Sequence, residues 1–137
     1  MEVQINYLAV LSGAIIYYAG GALWYSRPLF GKAWMEGNGF TEEIMKERQK
    51  GAWKSYLTAF ISALVISYGL ARIEDYMHVT SLIGGLHAGF WAWLCFVLTT
   101  AVTNNAFSGR PVKVTLIDSG YHLYGFLVMG IINAVWS

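Results

Sequence analysis

From Tyr76 to Gly109 the chain reads YMHVTSLIGGLHAGFWAWLCFVLTTAVTNNAFSG, thirty-four residues without one Asp, Glu, Lys or Arg. A helix needs about 20 mostly apolar residues to cross the hydrocarbon core of a bilayer, so this stretch alone is long enough. Three further charge-free gaps lie outside it, of 24 residues between Glu2 and Arg27, 17 between Lys54 and Arg72, and 19 from Ser119 to Ser137. The whole chain of 137 residues is 56% hydrophobic and 12% charged, about half the charge of an ordinary soluble domain. These features exclude a soluble globular domain, a disordered chain and a basic nucleic-acid binder. Runs such as Ala59-Phe60-Ile61-Ser62-Ala63-Leu64-Val65-Ile66 lack the period-2 alternation of a transmembrane barrel. The expected fold is therefore an all-α membrane protein, one four-helix domain over 1–137. Its spans are placed at about 4–25, 54–72, 80–103 and 112–136, with a cytoplasmic helical extension before the second.

Basic residues set the expected orientation. The 26–54 connection carries Arg27, Lys32, Lys46, Arg48, Lys50 and Lys54, and the third connection carries Arg110 and Lys113; the second has Arg72 alone. The positive-inside rule then puts the 26–54 and 104–113 loops in the cytoplasm and both termini outside, in a multi-pass inner (cell) membrane protein. The N-terminus opens on Glu2 rather than a basic run, which argues against a cleaved signal peptide. Trp24, Tyr25, Trp34, Trp53 and Tyr56 are expected near the inner interface, and Tyr7, Tyr68, Tyr76 and Trp136 near the outer one. Within the first connection, Gly37, Asn38 and Gly39 form a break. Thr41 reads as an N-cap with Glu42 and Glu43 in the first turn, opening a helix expected to run unbroken into the second span. Pro28 and Pro111 each follow an arginine, and Pro111 suits the first helical position of span four.

Helices in lipid associate through close packing of small residues. Span two offers Ala59, Ala63, Ser67 and Ala71 at fourfold spacing, span three Gly85 and Gly89, and span four Gly130 and Ala134. These faces can serve packing within one chain or between chains, and their number points towards a homo-oligomer. Cys95, the one cysteine, reads as a small apolar residue.

Ionisable side chains at membrane depth are costly, and most face the bundle interior or a wet cavity. His87, Asp118 and His122 qualify. On span four, Thr115, Asp118, His122, Gly125, Met129 and Asn133 share one face at 100° per residue. On span three His87 falls with Thr80, Gly84, Trp91 and Asn105, opposite Gly85, Gly89 and Ala92. On span one Asn6, Gly13, Tyr17, Gly20 and Trp24 align. The simplest arrangement points the polar faces at one another. Asp118 and His122 are i,i+4 and can meet across one turn, as a structural clamp, a proton or cation path, or a general base with its orienting acid. Thr103, Asn104, Asn105 and Arg110 form a second polar cluster at the inner mouth, either capping a tight turn or meeting an anion or headgroup. His78 reads as a solvated loop residue. No spacing calls for a metal or cofactor, and no nucleophile motif names a catalytic residue.

The run Trp24-Tyr25-Ser26-Arg27-Pro28-Leu29-Phe30-Gly31-Lys32-Ala33-Trp34-Met35 resembles the "WYSP-LFGK-W" signature of a family of small bacterial membrane proteins, domain of unknown function 1761, with Arg27 standing between the serine and the proline. Thr103-Asn104, Phe107, Arg110, Ile117-Asp118, Gly120-Tyr121, Gly130 and Trp136 extend the resemblance over nearly the whole chain. It implies four spans and carries no activity. Three functions remain open. One is a small oligomeric channel or proton-coupled transporter of an unidentified ion or small molecule, with His87, Asp118 and His122 as relay. Another is a structural or accessory subunit packing through its small-residue faces and docking through the 41–54 helix. The third is a membrane-embedded enzyme on a lipid-like or quinone-like substrate. The partners implied are the lipid bilayer and further copies of the chain, with no nucleic acid.

Overall fold

A computed structural model describes residues 4–137; Glu2 lies outside them. Four helices are long and apolar enough to span a membrane: Tyr7–Trp24, Ala52–Tyr76, Leu82–Ser108 and Val112–Val135. We label the elements α1 (Tyr7–Trp24), α2 (Gly31–Gly37), α3 (Glu42–Gln49), α4 (Ala52–Tyr76), α5 (Leu82–Ala92), α6 (Thr99–Ser108) and α7 (Val112–Val135). A π-helical segment, Trp93–Leu98, joins α5 to α6 within the third span. No strand is present among the described residues. The protein is an all-α, multi-pass membrane protein.

Local chemistry sets the ends. The Asn6 side chain accepts from the Leu8 and Ala9 amides at 3.0 and 3.3 Å and starts α1. Ser81 does the same for α5 through the Gly84 amide at 2.9 Å, and Thr41 for α3 through the Ile44 amide at 3.3 Å. Each satisfies a helix-start donor that would otherwise be orphaned. Gly109, at φ 71°, closes α6 in the left-handed conformation, where a residue without Cβ meets no steric penalty.

Several details differ from expectation, the second and third spans running on to Tyr76 and Ser108 among them. The helix from Thr41 does not run unbroken into the second span: it stops at Gln49, and α4 starts afresh at Ala52. Gly51, at the junction with φ −117° and ψ 14°, has the poorest helix propensity after proline and is exposed. Pro111 is the N-cap of α7 rather than its first helical residue, at ψ 148°. A short helix, α2, occupies part of the long connection and packs against α7.

The helix α7 is the hub, contacting α1, α4 and α5. Its partner faces differ in kind. Against α5 the seam is glycine on glycine. A Cβ at Gly85 would stand 2.5 Å from the Gly130 carbonyl oxygen, and one at Gly89 would stand 2.2 Å from that of Phe126. Against α4 the seam is polar: the Asn133 amide donates to the Ser67 carbonyl and hydroxyl, and the Ser67 hydroxyl donates on to the Val10 carbonyl of α1 at 2.9 Å. Ala63, Ser67 and Ala71 are buried along this seam while Ala59 is exposed, one turn beyond it. Against α1 the seam is aromatic and holds the candidate site.

Candidate functional site

The α1–α7 seam is built by tyrosines entering glycine hollows. The Tyr17 ring lies where a Cβ on Gly125 would be, 1.5 Å from its Cδ2. The Tyr124 ring packs over Gly20, and the Tyr121 hydroxyl over Gly21. With their rings seated, the phenols reach polar partners. Tyr121 donates to the Tyr17 carbonyl at 2.8 Å and Tyr124 to the Ile16 carbonyl at 3.2 Å. Trp24 donates through Nε1 to the Ile117 carbonyl at 3.0 Å. Trp24 and Tyr25, at the end of the first span, are half-buried, and each donates to a residue of α7.

Two of the three ionisable residues singled out from sequence are on this seam. The Tyr25 hydroxyl donates to Asp118 Oδ1 at 2.5 Å. The Tyr17 hydroxyl is hydrogen-bonded to His122 Nδ1. Asp118 and His122 stand one turn apart on α7, each held by a different tyrosine of the first span or its end; no hydrogen bond joins them to each other among the described residues. Stacked and edge-on rings bridge the gap. Ring centroids are 5.9 Å apart for Trp34–Tyr25, 5.5 Å for Tyr25–Tyr121, 4.8 Å for Tyr121–Tyr17 and 6.1 Å for Tyr17–His122. All lie within the 4.5–7 Å range of favourable aromatic pairs.

His87 is not in this site. It is exposed, and lines a shallow apolar recess with Leu86, Phe90 and Leu127. His87 and Trp91, on the polar face of span three, turn away from the bundle, against expectation, whereas Asn105, beyond the π-helical segment, still meets α7. The opposite face, Gly85 and Gly89, is the buried one. The physical reason is that lipid solvates apolar side chains as well as protein does, so the face permitting closest backbone approach takes the interior.

In the second polar cluster, the Asn105 amide donates to Thr115 Oγ1 at 2.7 Å, tying α6 to α7. Thr103 donates to the Thr99 carbonyl at 2.9 Å within its own helix, and the Arg110 amide donates to the Asn105 carbonyl at 3.0 Å. Asn104 and the Arg110 side chain are exposed. These contacts cap and close the turn between spans three and four.

Two residues of chemical interest stand outside the sequence-derived set. Tyr121 bridges the two halves of the aromatic seam. Glu74 is 1% exposed, with both carboxylate oxygens buried and unpartnered among the described residues. The signal for Glu74 lay in register: Ser67, Ala71 and Glu74 fall at i, i+4 and i+7, so the acid continues the buried stripe of span two.

The family model described as "Protein of unknown function (DUF1761)" matches residues 8–134. The chain belongs to the DUF1761 family. The match takes in all four spans of this DUF1761 protein, the signature loop after α1 and the Asp118–His122 turn. No curated protein and no solved structure matches the chain.

Proposed function

We propose that this DUF1761 protein is a small proton-coupled transporter or channel of the inner membrane, working as a homo-oligomer with the 26–54 and 104–113 loops in the cytoplasm. The observation that carries the reading is the pair Tyr25–Asp118 and Tyr17–His122. A carboxyl and an imidazole are retained inside a span, each on a phenol that can donate or accept a proton, one helical turn apart. Packing alone is served by the glycine hollows and by backbone-directed phenols such as Tyr124. A titratable pair adds the ability to take up and release a proton at membrane depth. The exposed His87 supports the oligomer. A histidine in mid-span facing hydrocarbon is costly, and a second chain over the Leu86–His87–Phe90 surface removes that cost.

The test is proton flux in liposomes holding the purified protein and an entrapped pH-sensitive dye. Flux above protein-free vesicles, cut at least tenfold by Asp118→Asn and by His122→Ala, is expected. Flux that both variants leave unchanged would refute the relay. The exposed aromatic surface, Trp91 and Phe96 among it, also favours a second reading, an accessory subunit; loss of a co-purifying partner on deleting 41–54, without any flux, would select it.

A further inference from the structure

The end of the bundle carrying both chain termini holds a second polar site, away from the aromatic seam. A cavity of about 70 Å³ opens there, lined by Asn6, Glu74, Asp75, His78 and Asn133 among others. Glu74, at its buried side, has no cationic partner among the described residues: Arg72, the nearest basic residue in sequence, is exposed and donates to the Tyr68 hydroxyl at 3.0 Å. Asn133 is 5% exposed, and its amide nitrogen donates to Ser67 O, Ser67 Oγ and Met129 O at 3.2, 3.0 and 2.9 Å. Those bonds fix the amide orientation, and the buried Oδ1 is left without a donor. The site therefore presents three buried acceptors, Glu74 Oε1 and Oε2 and Asn133 Oδ1, and no donor answers them.

A buried carboxylate without a counter-charge costs several kcal/mol, and either a proton or a bound cation removes that cost. We propose that the Glu74–Asn133 cavity is a binding site for a small monovalent cation of sodium size. The acceptors are all hard oxygens, the donor set of alkali and alkaline-earth cations rather than of transition metals. One fully buried negative charge matches one positive charge. Among the described residues no three His, Cys, Asp or Glu side chains gather as a transition-metal site usually requires. The cavity has room for an ion with one or two waters and none for a drug-sized ligand. Asp75 and His78, the other titratable side chains lining it, are half-buried and exposed, and Ser137 with its carboxylate also lines it; both acids add attraction at the mouth. A proton is the natural competitor, since it neutralises the same carboxylate.

The purified full-length protein in detergent micelles tests this through thermal unfolding followed by tryptophan fluorescence. Excess sodium chloride is compared with choline chloride at matched ionic strength and mildly alkaline pH. Sodium is expected to raise the midpoint by about 3–5 °C. The shift should fade on acidification as protons take the carboxylate, persist in Asp118→Asn, and vanish in Glu74→Gln. Equal midpoints in the two salts, or a sodium shift surviving in Glu74→Gln, would overturn the proposal. So would a midpoint that responds to pH and to no metal cation, which would assign the site to a proton alone. If Glu74→Gln does not fold, calorimetric titration of the wild-type protein with sodium chloride decides. Saturable one-site heat supports the site and featureless dilution refutes it. Proton flux through Asp118 and His122 is a separate readout, so either idea can fail without the other.

Discussion

Replacing Gly89 with alanine should open the seam that holds spans three and four together. The added methyl would lie 2.2 Å from the Phe126 carbonyl oxygen, 2.8 Å from its carbonyl carbon and 3.3 Å from Leu127 Cα. Ordinary carbon contacts lie at about 3.5–4.0 Å, and all three neighbours are backbone atoms that cannot rotate away. The helices must therefore separate by roughly 1 Å along the Gly85–Gly89–Gly130 line, weakening the dispersion contacts that hold helices together in lipid. Overpacking of this kind costs about 1–3 kcal/mol, and a rigid backbone clash belongs near the top of that range. Alanine's better helix propensity returns up to about 1 kcal/mol, leaving a net loss of about 2 kcal/mol. Gly69, in α4, provides the opposing case: a Cβ there has nothing within 4 Å, so Gly69→Ala should stabilise by about 0.5–1 kcal/mol through propensity alone. Equilibrium unfolding of both variants in mixed micelles with rising denaturing detergent, read by tryptophan fluorescence, should separate them by about 3 kcal/mol in opposite directions from wild type. A Gly89→Ala protein no less stable than Gly69→Ala would refute the close-packed seam.

Other outcomes follow from single contacts. Ser67→Ala removes the donor to the Val10 carbonyl and one acceptor of the Asn133 amide, and should lower stability by about 1 kcal/mol in the same unfolding assay; an unchanged midpoint would mean that lipid or water satisfies those groups. Tyr25→Phe strips the donor from Asp118 and should reduce proton flux while leaving unfolding within about 1 kcal/mol of wild type; full flux would remove Tyr25 from the relay. For orientation, a single cysteine introduced as Glu43→Cys in a Cys95→Ser background should react with an impermeant maleimide only after cells are permeabilised. Labelling of intact cells would invert the proposed topology.

Much of this architecture is set by composition and spacing. Charge-free runs of membrane length leave the backbone no means of satisfying its hydrogen bonds except within helices, so four helices follow from the sequence with little freedom. Caps such as Thr41 are equally local, because the hydroxyl meets an amide three residues away. The contribution of α1 and α7 to the site was visible in periodicity, since Tyr17, Asp118 and His122 each lie on the inward face of a regular helix. On span three the polar pattern pointed His87 inward, although Gly85 on the opposite face is equally plausible as an interior residue by spacing. Only the approach of the Gly85 and Gly89 backbones to Gly130 and Phe126 decides between them. Glu74 escaped for a related reason. As a charge near the end of a span it reads as a boundary residue, and burial arises only because α4 continues to Tyr76 under the C-terminal end of α7. Span number and helix ends come from one-dimensional chemistry; the partners of each polar side chain depend on how three helices settle around α7, because in lipid steric fit rather than water aversion chooses the contact.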